Sequence, residues 1–254
     1  MTLRNGYKKP LLFIIIMKNH QKISKELAPA LAALTLLCVL LTSCIKSNNP
    51  GPLPPTSLVT VIQASPDEPP VYFYLNGNQV NQSPLVFGQG LDYFSAYSGQ
   101  RTAYFYNAET MAAVVSAGIT LNTNGAYSLF LDNTTSKPGI FLLADTLVKP
   151  ASGDASLRFI DLSPNAPAVN LVIQGGKTMD SNRSFQGYSS FLPINGNATY
   201  TFNIVNASTG AVLATSPASY LAAGSVYSIV LEGLATPTNS TDGLTTVLIT
   251  NAIF

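Results

Sequence analysis

"ASPDEPPVYFYLNG" (Ala64–Gly77) and "LSPNAPAVNLVIQGG" (Leu162–Gly176) carry one pattern: Ser-Pro-x-x-Pro-x-Val, an alternating apolar run, then a glycine turn. Ser65 maps to Ser163 and Phe87 to Phe185, each 98 positions on. Tyr127–Asp132 (YSLFLD) maps to Tyr227–Glu232 (YSIVLE), 100 positions on. Anchors that keep order and near-constant spacing indicate duplication. Two copies of about a hundred residues are domains rather than solenoid units.

Within each copy the apolar period is two. Val71, Phe73 and Leu75 alternate with Tyr72 and Tyr74; Val169, Leu171 and Ile173 alternate with Asn170 and Val172; Tyr200, Phe202 and Ile204 alternate with Thr201 and Asn203. Period two in Val, Ile, Tyr, Phe and Thr predicts strands. Asn76-Gly77 and Gly175-Gly176 supply the positive φ that tight hairpins need. The reading is all-β: two tandem, Ig-like antiparallel β-sandwiches over 58–149 and 154–254, with about seven strands each. Each closes on a long apolar strand, Ile140–Val148 and Leu244–Ile253, after a polar loop over Asp132–Gly139 and Glu232–Gly243. The short link Lys149–Asp154 predicts sandwiches set end to end with restricted motion.

The Ser-Pro-x-x-Pro element reads as a rigid corner. Pro66 and Pro164 remove a ladder donor and end one strand, while Pro69 and Pro167 preset the entry into the next. The Ser65 and Ser163 hydroxyls, with Asp67 or Asn165, suit bonds to neighbouring backbone N–H groups that close the turn. A functional role for the adjacent acids Asp67 and Glu68 is the alternative. The second copy keeps the prolines but carries Asn165 and Ala166 instead.

The ends of the chain say where it works. Residues 1–43 hold six of the thirteen Lys and Arg and an apolar run from Ala28 to Leu41. That run falls short of the roughly 20 residues of a spanning helix and reads as a secretory leader, with Met17 as the expected true start. Leu41-Thr42-Ser43-Cys44 resembles the lipobox of bacterial lipoproteins, which implies cleavage before Cys44 and a diacylglyceryl thioether plus N-acyl group on it. An ordinary leader that happens to contain a Cys is the alternative. Residues 44–57, rich in Pro, Gly, Asn and Ser, suit a flexible tether. The membrane is then one partner, through the lipid anchor. The residues after Cys44 carry neither an acidic export cluster nor an Asp at the second position, so an outer-membrane location is expected, facing the periplasm or the cell surface.

From Cys44 onward, seven basic against eleven acidic side chains leave a net charge of −4. No basic patch points to nucleic acid. The one His (His20) and the second Cys (Cys38) both lie in the leader. The mature chain thus lacks the residues for Ser-His-Asp or Cys-His catalysis, for His- or Cys-ligated zinc and for a disulfide framework. No catalytic residue, metal site or cofactor is predicted.

With those residues in view, the chain resembles the bacterial family known as domain of unknown function 4397. The resemblance rests on the opening Ala-Ser-Pro-Asp, Phe87-Gly88 and Gly125-Ala126-Tyr127, with Gln63 where the family has His. Phe185-Gln186-Gly187 is the divergent counterpart in the second copy. The resemblance implies an exported β-sandwich, often in tandem, and no activity.

Two candidate surfaces remain. If Val71, Phe73, Leu75 and Phe105 face inward, then Tyr72, Tyr74, Tyr104 and Tyr106 face outward, against Asn170, Val172, Thr201 and Asn203 in the second copy. A tyrosine platform suits a glycan or an envelope protein; plain cross-strand pairing is the other reading. Asp145-Thr146-Leu147 resembles a bacterial O-glycosylation site, with Thr146 as acceptor. Glycoside hydrolysis needs two facing carboxyls, and Asp92, Asp132, Asp145 and Asp161 show no such pattern and read as solvated turn residues. Binding or structural module is therefore the first reading, and a carboxylate-only hydrolase the second.

Overall fold

The computed structural model describes residues 53–237 and 239–254. Leu41, Thr42, Ser43 and Cys44, the start at Met17 and most of the tether lie outside the described residues. Pro54–Phe254 forms one compact unit.

All regular structure in it is β. The first repeat holds β1 (Thr56–Gln63), β2 (Val71–Leu75), β3 (Asn78–Gln79), β4 (Gly90–Tyr97), β5 (Gly99–Asn107), β6 (Ala113–Leu121), β7 (Ala126–Asp132) and β8 (Gly139–Ala144). The second holds β9 (Asp154–Asp161), β10 (Val169–Ile173), β11 (Thr178–Arg183), β12 (Leu192–Asn195), β13 (Ala198–Tyr200), β14 (Phe202–Asn206), β15 (Val212–Thr215), β16 (Ser219–Leu221), β17 (Ser225–Glu232) and β18 (Thr245–Ile253). That is eight and ten strands, because short pieces such as β3 and β16 form in addition, and the run read as one strand through Tyr200 and Ile204 divides into β13 and β14.

Each repeat is a sandwich. In the first, sheet β4-β1-β7-β8 faces sheet β3-β2-β5-β6; in the second, β12-β9-β17-β18 faces β11-β10-β14-β15. The cores match position by position: Val61, Val71, Phe73, Leu129 and Leu131 in one, Phe159, Val169, Leu171, Ile229 and Leu231 in the other. Tyr127 Oη accepts the Asn122 N–H at 2.9 Å and Tyr227 Oη accepts the Ala222 N–H at 3.1 Å, a tyrosine corner in each copy. One pairing departs from the antiparallel expectation. β1 runs parallel to β7, and β9 to β17. The chain between each pair makes the other sheet first, which gives it the length to return in the same direction.

The sandwiches are not end to end. Ile62, Ala64, Phe130 and Leu143 of the first repeat pack with Ile160, Leu162 and Val230 of the second in a third core. The inner sheets therefore meet face to face, and β7 and β17 are covered on both sides. Their near-continuous apolar sequences are what double burial requires.

The contact has approximate two-fold symmetry. Gln186 Nε2 of the second repeat donates to Asp132 Oδ2 of the first at 2.8 Å. Reciprocally, a Cβ added at Gly88, the counterpart of Gln186, would stand 3.0 Å from Glu232, the counterpart of Asp132.

Candidate functional site

The outer face of the first repeat gathers the four tyrosines. β2 and β5 are hydrogen-bonded neighbours, with Tyr72 opposite Tyr106 and Tyr74 opposite Tyr104. Phe73 and Phe105 fill the core, their ring centroids 5.1 Å apart, so the alternating tyrosines must face out. All four are half-buried. Tyr104 and Tyr106 are near parallel, centroids 6.1 Å apart, while Tyr74 meets Tyr106 edge-on at 5.1 Å and 75°. The cluster is ridged rather than flat. The Tyr74 hydroxyl donates to Gln79 Oε1 at 2.9 Å, which fixes one ring. Ser116 of β6 lies opposite Tyr104.

The sheet that carries the cluster is almost free of charge. Among β2, β3, β5 and β6 the one ionisable cation or anion is Arg101. Its guanidinium donates to the carbonyls of Tyr97, Ser98 and Gln100 at the β4–β5 turn. The register also corrects the counterparts. Tyr72 pairs with Tyr106 as Asn170 pairs with Val205, and Tyr74 with Tyr104 as Val172 with Asn203. Asn203 and Val205, not Thr201 and Asn203, therefore match Tyr104 and Tyr106. The repeats slip by one residue between β2 and β5, which a fixed offset hides.

The corners are buried at Ser65 and Ser163 and exposed at Pro69 and Pro167, and they close differently from expectation. The Ser65 and Ser163 hydroxyls find no hydrogen-bond partner. The bonds that close the turns come from two residues upstream: Gln63 Oε1 accepts the Ser65 N–H at 2.6 Å, and Asp161 Oδ1 the Ser163 N–H at 2.9 Å. Asp67 and Asn165 reach instead into the long polar loops. Asp67 Oδ1 accepts the Thr135 N–H at 2.8 Å, and Asn165 Oδ1 the Ala235 N–H at 2.7 Å. Pro66, Pro69, Pro164 and Pro167 hold the shape from which those side chains reach.

Most carboxylates expected in solvent are buried. Asp132, Asp161 and Glu232 are fully covered, and Asp145, Glu68 and Asp242 nearly so. Asp145 sits between the sandwiches. Its Oδ1 accepts from Arg158 Nη2 at 2.7 Å, and its Oδ2 from Tyr93 at 2.6 Å and Ser128 at 2.9 Å. Arg158 also donates to Ser228, stacks 4.5 Å from the Phe191 centroid, and is 2% exposed. Burial, then the charge of Asp145, push the Tyr93 phenol well above its usual range. Thr146, beside Asp145, is exposed. Glu232 has no hydrogen-bond partner for either oxygen, and burial pushes it up to about 8. Burial also raises Asp161 to about 7 against the pull of the Ser163 N–H.

Three clefts, of about 550, 290 and 400 Å³, hold respectively no carboxylate, Asp92 alone and Asp154 alone. None presents the two facing acids that glycoside hydrolysis uses. Among the described residues no three His, Cys, Asp or Glu side chains are grouped to hold a metal ion.

Residues 57–172 match the family model described as "Domain of unknown function (DUF4397)". This segment is a DUF4397 domain. The matched DUF4397 segment runs through the whole first repeat and on through β9 into β10, so it takes in both Ser-Pro-x-x-Pro corners and the entire tyrosine cluster. No curated protein matches the chain. Among solved structures it is similar to the CBMbc module (family CBM26) of Amy13K from Eubacterium rectale, in complex with maltoheptaose. Identity is 9%, coverage 78% of this chain and 97% of that one, and the TM-score 0.24.

Proposed function

We propose that this chain is a non-catalytic, lipid-anchored module of the outer membrane whose DUF4397 domain binds a neutral glycan on its tyrosine face. The observation that carries the binding reading is the cluster itself: four tyrosines on a nearly charge-free sheet of one repeat, replaced by Asn170, Val172, Asn203 and Val205 in the other. Tyrosines used only to hold a strand pair have no reason to segregate this way. A pyranose offers an apolar C–H face to an aromatic ring and hydroxyls to its rim. Ser116 lies beside the rings to meet those hydroxyls. An anionic glycan needs a free cation, and Arg101 is committed to three backbone carbonyls.

Replacing Tyr74→Ser together with Tyr106→Ser should weaken binding to a neutral polysaccharide by roughly tenfold or more, measured by glycan array and then calorimetry. An unchanged array profile removes the reading. The anchor rests on the leader, on Leu41-Thr42-Ser43-Cys44 and on the Pro/Gly-rich stretch after it. Cys44→Ser should abolish incorporation of labelled palmitate and release the protein from the membrane fraction.

A further inference from the structure

β6 is an edge strand, bonded to β5 alone. Its nine residues, AVVSAGITL, contain no charge and no proline. Natural edge strands are commonly blunted by charge, proline, bulges or shortness, because their free backbone groups are a template for another strand. The second repeat is blunted in that way. There the edge breaks into β15, of four residues, and β16, of three, which pairs with β13 in a separate sheet, and Pro217 stands between them. Asn203 pairs with Thr215 as Tyr104 pairs with Ser116, so Pro217 is the counterpart of Gly118.

The backbone groups that face away from β5 can be identified. Gly118 lies opposite Thr102. The Thr102 C=O accepts from the Asn76 N–H at 2.8 Å, and the Thr102 N–H donates to Asn76 Oδ1 at 2.7 Å. Both Thr102 groups thus point toward β2. In an antiparallel ladder the N–H and C=O of Gly118 must then point outward, with those of Ser116 and Thr120 two residues either side. No other strand pairs with them among the described residues. All three residues are exposed, and a Cβ on Gly118 would meet nothing within 4 Å.

We infer that β6 is a self-pairing edge through which two copies of this chain join into one continuous sheet. The outward set is symmetric about Gly118. Antiparallel pairing on a two-fold axis at Gly118 sets Gly118 against its mate and Ser116 against Thr120 of the second copy. Each of these three pairs exchanges two hydrogen bonds. Their side chains are small and uncharged, so no like charges oppose one another across the seam. An isologous contact consumes the edge it uses and closes at two copies. It places two tyrosine clusters on the same face of one eight-stranded sheet, their β5 strands three spacings, about 14 Å, apart. This inference stands independently of what the tyrosines bind.

Sedimentation equilibrium on Pro54–Phe254 tests it, since all three cores lie inside that unit. The wild type is expected to be dimeric. Gly118→Pro, which imports the block the second repeat already carries, and Ser116→Lys with Thr120→Lys, which opposes ammonium groups across the seam, should each weaken dimerisation by roughly tenfold or more. Ser116→Glu with Thr120→Lys opposes unlike charges and should retain the dimer. Thermal melts matching the wild type establish that the variants are folded; if Gly118→Pro does not fold, the two charge variants decide. A wild type that stays monomeric up to about 100 μM, far above the dissociation constant of a specific pair, overturns the proposal, as does equal dimerisation of the folded charge variants.

Discussion

Asp145→Asn is expected to destabilise the folded unit by about 3–5 kcal/mol, because it leaves the Arg158 guanidinium buried without its counter-charge. Arg158 and Asp145 have side-chain exposures of 2% and 0%, so solvent offers no compensation. In a unit of this size that loss corresponds to a fall in melting temperature of about 10 °C. Arg158→Thr should rescue it. The first repeat has Thr60 where the second has Arg158, and Asn251, within β18, accepts from Ser228 as Asp145, just after β8, accepts from Ser128. The double variant therefore places neutral residues at both positions, as the fold already does at the matching place with Thr60 and Asn251. Urea denaturation of the single and double variants gives the coupling directly. A cost below about 1 kcal/mol for Asp145→Asn, or a double variant no more stable than the single, would show that the pair does not hold the sandwiches together.

Stability should fall as pH rises from about 4 to about 8. Glu232 moves from an ordinary value of 4.5 up to about 8 on folding, and Asp161 from 3.8 up to about 7, in both cases chiefly through burial. Both acids hold their proton more tightly folded than unfolded. Between those values the folded chain binds more protons than the unfolded one, so stability is full below about pH 4, declines across the window and levels above about pH 8. At about 1.4 kcal/mol for each unit of pKa, Glu232 alone accounts for roughly 3–5 kcal/mol. Burial raises Asp132 and Glu68 as well and adds to the same slope. Glu232→Gln removes the ionisation and should make the unit more stable than wild type at pH 9, with little change at pH 5. Melting curves across that range that run parallel for wild type and variant would sink the argument.

The duplication, the strands and the two corners were legible in sequence because each is a local signal. Proline fixes φ wherever it stands, and Val71-Tyr72-Phe73-Tyr74 can bury only one of its two faces. The adjacency of the tyrosines followed once β2 and β5 were neighbours. What stayed hidden was relational. The slip that matches Tyr106 with Val205 shows only in the pairing of strands. The burial of Glu232 and Asp132 depends on a second sheet lying over the first, and a carboxylate after an apolar run looks the same whether it meets water or the other repeat. One sign of that second layer was present: Phe130 and Val230 stand at positions that a sandwich with one wet face would give to polar residues. The absence of charge and proline from Ala113–Leu121 was readable too, but it gained meaning only beside Pro217.

A pair of identical subunits must show the same side chain on both flanks of its axis, and a lone guanidinium there would face its own duplicate. Here the halves are joined in one polypeptide and each flank is encoded separately. Arg158 can stand where its twin position has Thr60, and Phe191 where the twin has Tyr93. The heterologous lock between the sandwiches is therefore a possession of the joined chain that neither repeat, paired with a copy of itself, could build.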